Sequence, residues 1–254
     1  MEPRKNIADI LIVGGSTVGS RVAGLVRDML IYSLLGMSVY NSAFLFAFTL
    51  PNLFRRLLGE GALTSAFIPV LSSELENKGS SAFFSLINKV ASRVLLVLVA
   101  LTLAGCGVLL GMDALIELEA RWHLAFKLGA LLFPYAFLVC LSAVCGGALN
   151  NLGRFGTVAM TPIVLNICMI TSLGIGGFWL GLDKLGTVLW LCGGVLVGGF
   201  LQFALPARAL YRQGWRPMLD LRGSPELRRT WELFVPGVIG ASVLQFNLLV
   251  SRLL

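Results

Sequence analysis

The residues that could do chemistry are charges set where lipid is expected. Arg21, Arg27 and Asp28 lie in SRVAGLVRD, and Arg55, Arg56 and Glu60 lie in PNLFRRLLGEGALTSAFIPV, both otherwise apolar. A charge near the bilayer centre costs roughly 2.5–3.5 kcal/mol on insertion scales, so such groups face a cavity or a partner. At about 100° per residue, Arg21 and Asp28 fall within roughly 20° of one another on one helix face, while Arg27 lies roughly 120° away and need not share that acid. Arg56 and Glu60 are four apart and can pair along a helix, which leaves Arg55 aimed elsewhere. The plain alternative is that these side chains snorkel to an interface or satisfy local acids, and that reading is adopted for Arg56 with Glu60. For Arg21, Arg27 and Arg55 a ligand is preferred, because Asp28 cannot neutralise all three. Guanidinium suits bidentate contact with phosphate or carboxylate, so the implied ligand is an anionic amphiphile.

The elements that must hold these groups are membrane helices. The chain of 254 residues is 57% hydrophobic and 13% charged, against about 25% charged in soluble domains. Charge-free runs at 94–112, 128–153, 155–182, 185–207 and 233–251 reach or approach the roughly 20 residues of a spanning helix. No alternation of ~10-residue segments suggests a barrel, so the class is an all-α membrane protein. Helices are expected at 6–35, 43–74, 83–112, 122–150, 156–181, 185–211 and 231–254. The polar interval 213–230 then separates a six-helix lobe, 1–212, from an incomplete second lobe at 231–254.

The segment 43–74 would be about 48 Å long if wholly helical, against a hydrocarbon core of ~30 Å. Pro51 removes a ladder bond at Ala47, and Gly59, Gly61 and Pro69 weaken later turns, so a kinked or broken helix is expected, of the kind that lines a water-filled cavity. Gly15 and Gly19 form a GxxxG step, and GIGG and CGGVLVGG add small faces for close helix approach. Gly24 and Gly36 are candidate bending points.

With the N-terminus in the cytoplasm, loops on that side carry twelve Lys and Arg residues, including Lys78, Lys89, Arg93, Arg216 and Arg222, against three (Arg121, Lys127 and Lys184) opposite. That asymmetry obeys the positive-inside rule, and it makes the net charge of +7 a matter of topology rather than of nucleic acid. Five cysteines in apolar runs without CxxC spacing read as packing residues, and His123, the only histidine, excludes a histidine metal cluster and is expected at an interface. No cofactor is implied. A membrane enzyme acting on lipid phosphates would need paired carboxylates for Mg²⁺ or a histidine, whereas Asp28 and Glu60 sit beside arginines. A cation-coupled drug exporter would prefer an acidic cavity.

SRVAGLVRD at 20–28 and AFLFAFTLPNLFRRLLGEGALTSAFIPVL at 43–71, followed by FPYAFLV, GALNNLGRF and PIVLNICMI, closely resemble the lipid II flippases of the MurJ/MviN family, within the superfamily of multidrug, oligosaccharidyl-lipid and polysaccharide exporters. The resemblance implies a lobe of a MATE-like two-lobe transporter of the bacterial inner membrane. Such a protein moves an undecaprenyl-linked peptidoglycan precursor by alternating access. It places the family's cavity arginines on Arg21, Arg27 and Arg55, with Asp28, Ser42, Pro51, Asn52, Arg56 and Glu60 supporting or gating. Ser42 stands where the family commonly has an acid, which puts a gating role for that position in doubt. Only the first lobe and about one more helix are present, so the expected partners are the lipid-linked precursor, membrane lipids and a carboxy-terminal lobe in the same or another chain. The alternative reading is a multidrug or polysaccharide-lipid exporter of the same superfamily, or a non-transporting truncated lobe.

Overall fold

The computed structural model describes residues 3–55, 63–115 and 119–253, with side chains described from Leu11 to Arg55, Ala66 to Leu115 and Glu119 to Gly237, and at Ile239, Gly240 and Ser242. Arg56 and Glu60 therefore lie outside the described residues. Among the described residues, seven α-helices run in order: α1 Pro3–Leu35, α2 Val39–Phe54, α3 Leu63–Leu115, α4 Ala120–Asn151, α5 Phe155–Leu173, α6 Lys184–Arg212 and α7 Pro225–Leu253. A π-helical turn, Gly174–Trp179, extends α5. Among the described residues there is no strand. Four helical segments, in α3, α4, α5 with its π turn, and α6, are long and apolar enough to cross a membrane.

The ends of α1 and α2 follow from local chemistry. Gly36, at φ +64, occupies the left-handed region that a side chain disfavours, and its N–H closes on the Tyr32 carbonyl at 2.9 Å, which stops α1. Ser38 caps α2 by accepting from the Asn41 N–H at 3.4 Å, and the Asn41 amide reaches back to the Gly36 carbonyl at 2.8 Å. The corner between α1 and α2 is thus fastened, and Gly36 ends a helix rather than bending one.

The second and third segments are cut differently from expectation. The helix carrying Pro51 begins at Val39 and runs through the proline to Phe54, so the lost ladder bond does not break it at Ala47. The next described helix runs from Leu63 to Leu115, with its break at Gly79, φ +80 and ψ −174. The expected gap between 74 and 83 is therefore one non-helical glycine joining two arms, because a single left-handed residue redirects a chain without a loop. At the far end α7 starts at Pro225, within the interval expected to be linker. Pro at the opening of a helix costs nothing, since that N–H has no intrahelical partner.

Helix α4 is the centre of the bundle. It packs on α2, α3 and α6, while α5 joins α1 to α6 and α7 lies on α3. In its most apolar stretch 67% of α4 is buried, against 17% for α3, which explains why α4 is apolar around its whole circumference. The small faces of α6 let its neighbours approach: a Cβ on Gly194 would stand 2.5 Å from Ser172 Cβ, and one on Gly199 2.5 Å from Tyr135 Cδ2. Gln202, 5% exposed, ties three helices together. It donates to the Thr161 carbonyl at 3.0 Å, accepts from the Tyr135 hydroxyl at 3.2 Å, and its own carbonyl accepts from Ser142 at 2.7 Å.

Candidate anion-binding site on the first helix

Arg27 sits where α1 meets α5, and its guanidinium is fixed from two directions. Nε and Nη2 donate to Asp28 Oδ1 at 2.9 and 2.7 Å, and Nη1 donates to Asn166 Oδ1 at 2.8 Å. Asn166 is itself 6% exposed, and its amide nitrogen donates to the Ser20 carbonyl of α1 at 3.1 Å. A guanidinium has five N–H groups, so these three bonds leave two without a partner among the described residues, one on each terminal nitrogen. Those two are held in a set direction.

Asp28 therefore pairs with its neighbour Arg27 and not with Arg21, contrary to the wheel argument. Positions one apart diverge by about 100° at Cβ, but a long flexible side chain curls back across that angle and brings its Nε to the adjacent carboxylate. Arg21 is exposed on α1 and forms no hydrogen bond or ion pair among the described residues.

Arg55 stands at the C-terminal end of α2, half-buried, with Nε donating to Asn52 Oδ1 at 3.4 Å. The Asn52 amide in turn donates to the Phe48 carbonyl at 3.1 Å, and the Cys140 thiol of α4 approaches the Phe54 carbonyl at 3.8 Å. Pro51 is buried in the same helix, while Ser42 lies exposed in its first turn. Arg21 and Arg27 thus belong to the α1–α5 pair and Arg55 to the α2–α4 pair.

Sequence reasoning missed Asn166. A lone amide in the apolar run PIVLNICMI was the available signal, since a polar side chain inside a membrane helix needs a partner. His123 was expected at an interface and joins α4 to the end of α3, its Nδ1 2.7 Å from Asp113 Oδ1, with Lys127 3.6 Å from the other oxygen. An apolar recess of about 280 Å³ lies instead under residues 215–219, against Leu95, Leu141, Cys145 and Phe203, and none of the three arginines lines it.

The all-helical fold matches about half the length of solved membrane transporters. It matches a multidrug resistance MATE family transporter of the MOP superfamily with a TM-score of 0.67 at 14% identity, over 94% of this chain and 53% of that one. It matches a structure of lipid II flippase MurJ in an inward closed conformation with a TM-score of 0.75 at 24% identity, over 93% of this chain and 49% of that one. The profile of the lipid II flippase MurJ family matches residues 31–254, and the chain belongs to that family, one of transporters and not of enzymes. A probable lipid II flippase MurJ from Bdellovibrio bacteriovorus is 34% identical over 98% of this chain and 48% of its own length. A lipid II flippase MurJ from Burkholderia cenocepacia is 30% identical over 95% of this chain and 48% of its own. The chain spans about half the length of the curated relatives it matches. Arg21 and Arg27 precede the residues of the profile match but fall within the 98% shared with the Bdellovibrio relative.

Proposed function

We propose that this chain forms the first lobe of a lipid II flippase in the bacterial inner membrane, with its N-terminus in the cytoplasm. Arg21, Arg27 and Arg55 hold the diphosphate and attached acidic groups of an undecaprenyl-linked peptidoglycan precursor. A second, carboxy-terminal lobe completes the cavity, and the two rock about the bound headgroup in alternating access. The observation that carries the reading is Arg27: a guanidinium oriented by Asp28 and Asn166 with two N–H groups still open. Such a group is a preorganised donor for phosphate oxygens. Arg21, exposed two turns earlier on the same helix, supplies charge that no described neighbour cancels.

The likeness to MATE transporters raises a drug exporter as the second reading. Arg27 with N–H groups to spare and Arg21 with no described acid beside it disfavour a cationic drug, for which like charges are costly. The test is complementation. Arg27→Gln and Arg55→Ala, each in a protein with both lobes, are expected to fail to rescue a strain depleted of its lipid II flippase, and full rescue by both would overturn the assignment.

A further inference from the structure

A second charged cluster, which the arginine site does not use, stands at the root of α7. Lys78 Nζ lies 2.5 Å from Glu226 Oε1 and 3.0 Å from Glu74 Oε1. Glu74 is on the same arm of α3, one turn before Lys78, and its side chain is 10% exposed; Glu226 is in the first turn of α7 and is 25% exposed. The residue after Lys78 is Gly79, where α3 breaks at φ +80. One ammonium is therefore shared between a nearly buried acid of its own helix and a more accessible acid of another.

The root of α7 is also tied to the other arm of α3. Asn88, 7% exposed, accepts from Trp215 Nε1 at 2.7 Å and donates to the Arg216 carbonyl at 3.0 Å. Ser92 accepts from the Asp220 N–H at 2.9 Å, and Arg93 donates to the Leu221 carbonyl at 2.8 Å. Residues 213–224 thus form a strap bound after the break, while Glu226 is bound before it. The two attachments lie on opposite sides of the one residue of α3 with a non-helical backbone.

We propose that Glu74, Lys78 and Glu226 form a reversible latch: Lys78 either clasps α7 through Glu226 or stays on Glu74 alone, so that α7 with its strap swings away from the first arm of α3 about Gly79. Separating an ordinary ion pair with a buried member leaves an uncompensated charge, which is expensive. Here the buried member, Glu74, keeps its cation at the (i, i+4) spacing whichever way the latch stands. The departing member is Glu226, whose charge is favoured at a helix N-terminus and is readily hydrated. Hydrogen bonding from Lys78 holds the Glu226 carboxyl down to about 2, so both partners are charged at neutral pH, where the latch answers to position and ionic strength and only acid brings protons into play.

The test uses the 254-residue chain in detergent, with amide exchange over residues 228–236 and thermal melting as readouts. Glu226→Gln is expected to speed exchange there on the order of tenfold while leaving the melting temperature unchanged. Lys78→Met is expected to speed exchange and also lower the melting temperature, because it strands Glu74. Adding Glu74→Gln to Lys78→Met is expected to restore the melting temperature but not the protection. Unchanged exchange in Glu226→Gln would overturn the latch, and so would a fall in its melting temperature equal to that of Lys78→Met, which would mark a fixed strut. Neither outcome touches the flippase reading, since no transport is measured.

Discussion

Arg27 and Asn166 show how a membrane charge is made usable. A bare guanidinium in a lipid-flanked helix would snorkel away; one held by a carboxylate on one edge and a neutral amide at its tip stays where its remaining N–H groups can meet a ligand. Arg27→Lys keeps the charge but replaces a planar fork by a point donor that cannot span Asp28 and Asn166 together. It is expected to weaken binding of a diphosphate-bearing polyprenyl lipid and to change the salt dependence less than Arg27→Gln does, measured by titration at two ionic strengths. Asn166→Leu removes the acceptor from Nη1 and the donor from the Ser20 carbonyl, and is expected to cost about 1–3 kcal/mol in a denaturation titration. The arginines could be picked out from the sequence because a charge in an apolar run is conspicuous. Their partners could not, because Asn166 meets Arg27 only once α5 has packed on α1.

Among the helices, glycine and proline did not act where their spacing first suggested. Pro51 is absorbed within α2, whereas Gly79 redirects α3. Gly79→Ala must place a Cβ at φ +80 and is expected to destabilise by about 1–2 kcal/mol. Gly199→Leu would drive a side chain into the buried Tyr135 ring and is expected to cost about 1–3 kcal/mol or to splay α6 from α4, read by thermal melting. At the root of α7, Glu226 titrates from an ordinary value of 4.5 down to about 2 when folded, with Lys78 and then Ser224 as the side chains that lower it. The sign follows: its contribution to holding α7 on the first arm of α3, a local docking that global melting does not report, is complete above pH about 4.5 and is lost as pH falls towards about 2, so exchange protection of α7 should fall over that window. Glu74 and Lys78 stand at a helical pairing distance of four, but nothing in the sequence joined Lys78 to Glu226, 148 positions further on.

Across the molecule, charged clusters stand apart along α3. Lys78 and Arg93 meet the segment after α6, while Asp113, His123 and Lys127 cluster at the opposite end of α3 and the start of α4. Cysteines introduced at Arg216 and at Lys127, in a background without the native five, are expected to react with an impermeant maleimide from opposite sides of the membrane, Arg216→Cys from the cytoplasm. On the proposed reading, in which a second lobe completes the cavity, the 254 residues by themselves are expected to give no lipid II transport in proteoliposomes. The amino-acid sequence alone determined the membrane class and the helical class and singled out three arginines as candidates, because these depend on composition and on the cost of charge in lipid, both local quantities. Which amide orients Arg27, where α3 bends and what anchors the chain after α6 were decided only by packing. Those contacts join residues far apart in the chain, and no periodicity within one helix encodes the face that another will cover.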